Sequence, residues 1–291
     1  MRHPAGAKGS LMARMGFFTD TSVCIGCKAC EVACKEWNDV PDDGLDFLAM
    51  SYDNTGALGA DTWRHVAFVE RPRGGSAPPG SPPANGPGAG WSPAADLLPD
   101  AGGAGVRWLM SSDVCKHCTH AACLDVCPTG ALFRTEFDTV VVQQDVCNGC
   151  GYCVPACPFG VIDKREADGR VWKCTLCYDR LKADLTPACA KACPTESIQF
   201  GPLEELRERA SGRLGVLREA GVAEARLYGA DEDDGVGGFG AFFLLLDEPE
   251  IYGLPPAPVV TTRDLPGMWR AAAGAALALA GAVAVAVLPR R

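Results

Sequence analysis

With 291 residues and 47% hydrophobic side chains, the chain has the length and apolar content for two or three compact units with buried cores. Its formal charge of −9, without clustered Lys and Arg, excludes a nucleic-acid partner, because phosphate binding needs such clusters. The same length excludes a small exported disulfide scaffold as the use of its 16 cysteines, which sit too close in sequence for most pairings to close.

Residues 1–15 carry Arg2, Lys8 and Arg14 but no apolar stretch of signal-peptide length, so no export signal is expected. Residues 16–70 hold Cys24, Cys27, Cys30 and Cys34 in a C-x₂-C-x₂-C-x₃-C run, then Trp37 and a strand-like His65-Val66-Ala67-Phe68-Val69. At 71–105 the composition shifts to Pro, Gly, Ser and Ala, which predicts a flexible surface insertion without a function of its own. Residues 106–200 hold three more runs. Cys115, Cys118, Cys123 and Cys127 widen the middle gap to four residues. Cys147, Cys150, Cys153 and Cys157 repeat the first spacing, and Cys174, Cys177, Cys189 and Cys193 widen the gap to eleven. The last three runs end in Cys-Pro. There the proline ring stops a short helix begun by the x₃ spacing and turns the chain away.

Beyond the cysteines, Leu203, Leu206, Leu214 and Leu217 recur at helical spacing within 201–225, predicting an amphipathic surface helix broken near Gly212. Asp231-Glu232-Asp233-Asp234 reads as a solvated acidic turn. Gly235-Val236-Gly237-Gly238-Phe239-Gly240 formally matches G-x-G-x-x-G, a dinucleotide fingerprint only between a strand and a helix. Here an acidic loop precedes it and the strand-like 241–246 follows, so the nucleotide site is rejected. Residues 271–288 are eighteen in a row without a polar or charged side chain. As a helix they span about 27 Å, near the thickness of a bilayer's hydrocarbon core. Trp269 at interface depth and a small-residue composition favour a transmembrane helix over a buried soluble one. Arginines balance on both sides, so charge leaves its orientation open.

The four runs match the ligand pattern of bacterial two-cluster ferredoxins, in which three close thiolates hold one iron–sulfur cluster and the fourth reaches a second. Four 4Fe–4S clusters need sixteen thiolates, and the chain has 16 cysteines with none left over. Zinc ribbons use two C-x₂-C pairs and have no use for a third cysteine or a closing Cys-Pro. The exchange rule predicts one site from Cys24, Cys27, Cys30 with Cys193, and a second from Cys115, Cys118, Cys123 with Cys157. A third follows from Cys147, Cys150, Cys153 with Cys127, and a fourth from Cys174, Cys177, Cys189 with Cys34. The expected architecture is α+β: two ferredoxin-like two-cluster modules, one inserted in the other, plus a C-terminal transmembrane helix. Module A takes 16–70 with 170–200, module B takes 106–169, an extension with helix and strand takes 201–266, and the membrane anchor takes 267–291. Free thiols must meet iron before they oxidise, so loading belongs to a reducing compartment.

With four cysteines per cluster no iron is open to substrate, and no other constellation suggests acid–base or nucleophilic chemistry, so no catalytic residue is expected. His117 and His120 read as surface or hydrogen-bonding residues. Lys116 and Lys173 are candidates for tuning a cluster from outside its ligands. Trp37, Tyr152 and Trp172 read as packing around the clusters.

Residues outside the cysteines then narrow the family. Cys24-Ile25-Gly26-Cys27-Lys28-Ala29-Cys30 with Glu36-Trp37-Asn38-Asp39, and Cys147-Asn148-Gly149-Cys150-Gly151-Tyr152-Cys153 with Cys157-Pro158-Phe159, resemble the iron–sulfur beta subunit of respiratory formate dehydrogenase. So do Lys173-Cys174-Thr175-Leu176-Cys177, Tyr52-Asp53-Asn54, Gly235-Val236-Gly237-Gly238 and Tyr252-Gly253-Leu254-Pro255. The 71–105 insertion departs from that pattern. The resemblance implies a catalytic alpha subunit with a molybdenum or tungsten pterin, which oxidises formate and passes electrons through four clusters. They leave to a membrane cytochrome b gamma subunit that reduces quinone. It also implies a single-pass cell-membrane protein whose cluster domain lies outside the cytoplasm, co-exported with the catalytic subunit. Three alternatives stay open: the equivalent subunit of a membrane hydrogenase, a reductase subunit running electrons the other way, and a soluble ferredoxin-like carrier.

Overall fold

The computed structural model describes residues 13–44, 52–53, 55–72 and 106–287. Residues 1–12, positions 73–105 of the expected insertion and the tail 288–291 lie outside the described residues. Strand β1 (Met15–Asp20) leads through a 3₁₀ turn (Thr21–Val23) to helix α1 (Ala29–Asn38). β2 (Arg64–Pro72) and β3 (Val106–Val114) form an antiparallel ribbon with Arg64 opposite Val114. Next come α2 (Ala122–Asp125), the hairpin of β4 (Leu132–Arg134) with β5 (Val140–Val142), and α3 (Cys153–Ala156). A second hairpin joins β6 (Asp163–Lys164) to β7 (Val171–Trp172), followed by α4 (Tyr178–Lys182) and α5 (Ala188–Ala192). β8 (Ile198–Pro202), α6 (Leu203–Glu219), β9 (Arg226–Tyr228), β10 (Ala241–Leu245) and α7 (Leu265–Val287) complete the fold. The content is mixed helix and strand.

The largest sheet has the order β8-β1-β10-β9. Its centre is a parallel pairing of β1 with β10, in which Phe17 faces Ala241 and Asp20 faces Leu244. All 16 cysteines lie between these two strands in sequence, so one pairing closes the whole cysteine-bearing region. A strand covered on both faces reads as a continuous apolar run rather than an alternation. The β10 sequence AFFLL is such a run, and all five residues are buried. Phe18 stacks on Phe242 with ring centroids 5.3 Å apart. Full burial of each such ring stabilises by about 1.5–3 kcal/mol.

Helix α6 runs unbroken through Gly212, contrary to the expected break. Its buried stripe, Leu203, Leu206 and Ala210, continues in Leu214 and Leu217 packed at the edge of the core. Gly212 meets nothing on its open side, so its cost is the helix-propensity penalty of about 1 kcal/mol, which packing of the stripe outweighs. α7 begins at Leu265, earlier than the apolar run alone suggests, and Trp269 lies inside its first turns. Its stretch Gly267–Val285 is long and apolar enough to cross a membrane, and none of it is buried inside the protein. The buried-core-helix reading of this segment is therefore wrong.

Candidate iron–sulfur sites

Each cysteine run is shaped by residues in the left-handed backbone region. They are Gly26 (φ 65°) and Lys28 (59°) in the first run, His117 (45°) in the second, Gly149 (71°) and Gly151 (77°) in the third, and Leu176 (57°) and Cys177 (49°) in the fourth. Such steps let a short loop curl back on itself, at a cost that tertiary packing must cover when the residue is not Gly. The Cys-Pro ends share one geometry. The N–H groups of Cys127, Cys157 and Cys193 donate to Leu124, Val154 and Ala190 carbonyls at 3.2–3.3 Å. The carbonyls of the same three cysteines then accept from Gly130, Gly160 and Glu196 at 3.3–3.4 Å. The first set of bonds closes short helices that the following proline prevents from continuing, and the second closes a β-turn with that proline at its second position.

The curled loops gather thiols from different runs. One cavity is lined by Cys115, Cys118 and Cys123 together with Cys157, from the end of the third run. A second is lined by Cys24, Cys27 and Cys30 together with Cys193, from the end of the fourth. Burial, then the neighbouring Cys174, Cys189 and Cys177 thiols, push the Cys34 thiol well above its ordinary value. That groups Cys34 with the start of the fourth run. Cys153 is pushed up to about 12, first by burial and then by Cys127, Cys150 and Cys147, which groups the third run with the end of the second. Two cavities thus each gather three thiols of one run and one of another, and the electrostatics set Cys34 beside the fourth run and Cys127 beside the third. Cys27 and Cys150 are exposed, whereas Cys34, Cys174, Cys177 and Cys189 are all buried.

Without metal these thiols stay protonated. Burial drives Cys30 up to about 11, Cys177 to about 11 and Cys123 to about 12, with nearby thiols adding to the effect in each case. Four crowded, buried thiolates are unfavourable by themselves, and metal bound among them compensates their charge while releasing their protons. A single tetrahedral zinc would need its thiolates about 3.8 Å apart, given Zn–S bonds of about 2.3 Å. Among the described residues no three His, Cys, Asp or Glu side chains converge on one ion in that way. The donor sets suit a polynuclear iron–sulfur group with all-thiolate ligation.

Polar groups that the sequence reading missed surround the sulfurs. Ser112 Oγ lies 3.2 Å from Cys30 Sγ, and the Leu176 N–H donates to Cys174 Sγ at 3.3 Å. Asn38 Nδ2 lies 3.8 Å from both Cys34 and Cys177 Sγ. Thr129 and Thr195 hydroxyls lie 3.6 and 3.8 Å from Cys127 and Cys193 Sγ, and the repeated Cys-Pro-Thr was a visible signal for them. Lys116 and Lys173 are buried. Lys116 Nζ donates to Asp113 Oδ1 and to the Val114 carbonyl at 2.9 Å, and lies over the Phe243 ring at 4.9 Å. Lys173 Nζ donates to the Val140 and Cys174 carbonyls. His117 is buried and neutral, its pKa held well down by burial and then by Lys173, and its Nδ1 accepts from the Val140 N–H at 3.1 Å. His120 is exposed.

Two expectations about aromatics change. Tyr152 is 64% exposed and Trp37 is 46% exposed, with Arg180 over its ring at 4.0 Å, so both belong to the surface. Trp172 packs inward against Trp63 and Arg165. The glycine motif at 235–240 is a buttress for the second run. Val236 and Gly238 carbonyls accept from His120 and Thr119 N–H groups, and Gly240 and Ala241 N–H groups donate to His117 and Lys116 carbonyls.

A family model described as a 4Fe-4S dicluster domain matches residues 106–203, and one described as a 4Fe-4S binding domain matches 21–37. The chain is similar to the formate dehydrogenase, nitrate-inducible, iron-sulfur subunit of Escherichia coli (strain K12), 36% identical over 264 residues. That match covers 89% of this chain and 78% of the relative. The formate dehydrogenase iron-sulfur subunit of Haemophilus influenzae is 38% identical over 245 residues, covering 83% and 68%. The B subunit of the anaerobic dimethyl sulfoxide reductase of E. coli is 33% identical over 202 residues, covering 68% and 78%.

Proposed function

The chain belongs to the formate dehydrogenase iron–sulfur subunit family, whose members are electron-transfer rather than catalytic subunits of molybdopterin oxidoreductases, and from that premise we propose that it relays formate-derived electrons to a membrane acceptor. In this reading it carries four 4Fe–4S clusters on the four mixed cysteine sets. The observation that carries it is the lining of two separate cavities by three thiols of one run and the fourth of another. The ligands group into two modules, residues 106–169 inserted within 16–70 and 170–200. A bound cluster supplies reversible one-electron uptake and release.

In this reading the sets follow an order, supported by the electrostatic coupling of their thiols. Cys30 of the first set feels Cys189 of the fourth. Cys174 of the fourth feels Cys115 of the second, and Cys123 of the second feels Cys153 of the third. The sequence first, fourth, second, third therefore runs from exposed Cys27 to exposed Cys150 through a buried interior. The segment entering α7 is tied to the module that holds the second and third sets: Thr261 Oγ1 donates to the Ala156 carbonyl at 3.0 Å and Thr262 Oγ1 to Asp125 Oδ2 at 2.7 Å. That supports the third set as the exit toward the bilayer and the first as the entry from the catalytic molybdopterin subunit. The electron acceptor is a membrane cytochrome b subunit that reduces quinone. α7 is the single-pass anchor, and the cluster domain lies outside the cytoplasm through co-export with the catalytic subunit.

The reductase direction is a second reading, favoured by the match to the dimethyl sulfoxide reductase B subunit. The formate relatives cover more of this chain, 89% and 96% against 68%. The deciding experiment is electron paramagnetic resonance of anaerobic membranes given formate, with hydrogen as a parallel donor. Interacting 4Fe–4S signals induced by formate, and lost on deletion of this chain, are the expected result. Reduction by hydrogen alone would move the assignment to a hydrogenase, and silence with both donors would favour the reductase direction.

A further inference from the structure

Arg64, the first residue of β2, is 1% exposed and is one of the largest fully buried side chains. Its Nη1 donates to the Ser112 carbonyl and to Ser112 Oγ, both at 3.1 Å, and its guanidinium lies over the Phe17 ring at 5.0 Å. Nε and Nη2 are buried without a hydrogen-bond partner. Among the described residues no carboxylate forms an ion pair with it. A buried cation without a counter-ion is costly, and its retention calls for negative charge nearby.

The groups that face it, which become anionic thiolates when they bind metal, are thiols of two different sets. β2 packs on α1, which carries Cys30 and Cys34, and α1 packs in turn on α5, which carries Cys189; burial lowers the Arg64 pKa, and these thiols with Cys174 more than offset it. Cys30 belongs to the first set and the other three to the fourth. Ser112, which Arg64 orients, also lies 3.2 Å from Cys30 Sγ and lines the first cavity.

We propose that Arg64 is a positioning residue shared by the first and fourth sites: one fixed guanidinium, buried behind α1, raises the reduction potentials of both neighbouring clusters and offers its unused Nε and Nη2 donors to their sulfur atoms. This rests on the ligand sets proposed above. A reduced cluster carries one more negative charge than an oxidised one, so a nearby buried cation favours reduction, and low dielectric enlarges the effect. The hydrogen bond through Ser112 acts on the first site alone.

The test is a redox titration of the purified complex followed by electron paramagnetic resonance. Iron and acid-labile sulfide are measured on every sample. In wild type, four titrating clusters are expected. Arg64→Met should move two of them to lower potential and leave two in place. Arg64→Lys, which keeps the charge but not the planar fork, should move the same two by less. Ser112→Ala should lower only the first-site signal, identified by its loss in Cys27→Ala. Should Arg64→Met fail to retain iron, Arg64→Lys and Ser112→Ala decide the matter. No shift in any loaded variant, or an equal shift of all four signals, overturns the proposal while leaving the ligand sets intact. Iron for fewer than four clusters in wild type would overturn the ligand reading itself, and this proposal with it.

Discussion

Substituting Gly149 by Ala isolates how tightly the third cysteine loop is built. Gly149 sits at φ 71°, and an added Cβ would lie 2.3 Å from the Gly169 carbonyl oxygen. That is about 1 Å short of the 3.4 Å at which ordinary contact begins, and the obstacle is backbone rather than a movable side chain. Gly160 provides the control, because it has nearly the same φ, 63°, and open space around its Cβ position. Left-handed backbone costs a non-glycine residue about 1–2 kcal/mol, which both variants incur. Overpacking adds roughly 1–3 kcal/mol to Gly149→Ala alone. For a protein of this size about 1 kcal/mol moves the midpoint by roughly 2–4 °C. Gly160→Ala should therefore fall by a few degrees and Gly149→Ala by about twice as much or more. The assay is anaerobic heating of the purified complex, followed through the visible absorbance of its clusters, at one fixed scan rate because the loss is irreversible. Equal shifts for the two variants would refute the reasoning. So would a Gly149→Ala protein that keeps wild-type iron and midpoint.

Cys150→Ala should lose or convert one of this chain's clusters, and quinone reduction should fall sharply while donor oxidation with a soluble dye persists. Wild-type quinone reduction in that variant would sink the relay. Burial pushes the Asp53 carboxyl up, but His65 at 2.8 Å and the Gly56 and Thr55 N–H groups outweigh it and hold its pKa well below the usual range. A depressed folded pKa gives stability that is full above the unfolded value of about 3.9 and is lost as pH falls below it. Asp53→Asn should thus be less stable than wild type by about 1–3 kcal/mol at neutral pH, with the gap closing only below about pH 4. Circular dichroism melts from pH 7 to pH 3 check this, and a gap that already narrows between pH 7 and 5 is the contrary result. Leu277→Arg places a charge near the middle of the apolar span. At about 2.5–3.5 kcal/mol it should shift the chain, expressed without its partners, roughly a hundredfold toward the soluble fraction. Unchanged sedimentation with membranes would argue against the anchor.

Features under short-range geometric control were legible before any fold was known. The spacing of Cys24, Cys27 and Cys30, and of Cys147, Cys150 and Cys153, places three thiols on one short curled segment whatever the rest of the chain does. The Cys-Pro ends fix where α2, α3 and α5 stop, because proline can neither donate nor continue the helix. The apolar run of α7 is legible from composition, since a helix facing lipid needs no partner to specify its surface. Tertiary structure decided the rest, because those features depend on residues far apart in sequence. Whether α6 breaks at Gly212 was settled by the stripe it lays on the sheet, against a local propensity that favoured a break. The glycines at 235–240 looked like a failed nucleotide motif, and their use as a support for the second run exists only once β10 pairs beside β1. Nothing in the sequence singled out Arg64. Its burial beside two thiol sets follows from the β2–β3 ribbon lying over α1, with Phe17 beneath, and from thiols brought in by α5 and by the Cys174 loop. Charge of that kind is placed by packing over long sequence separations, and no periodicity of neighbouring residues encodes it.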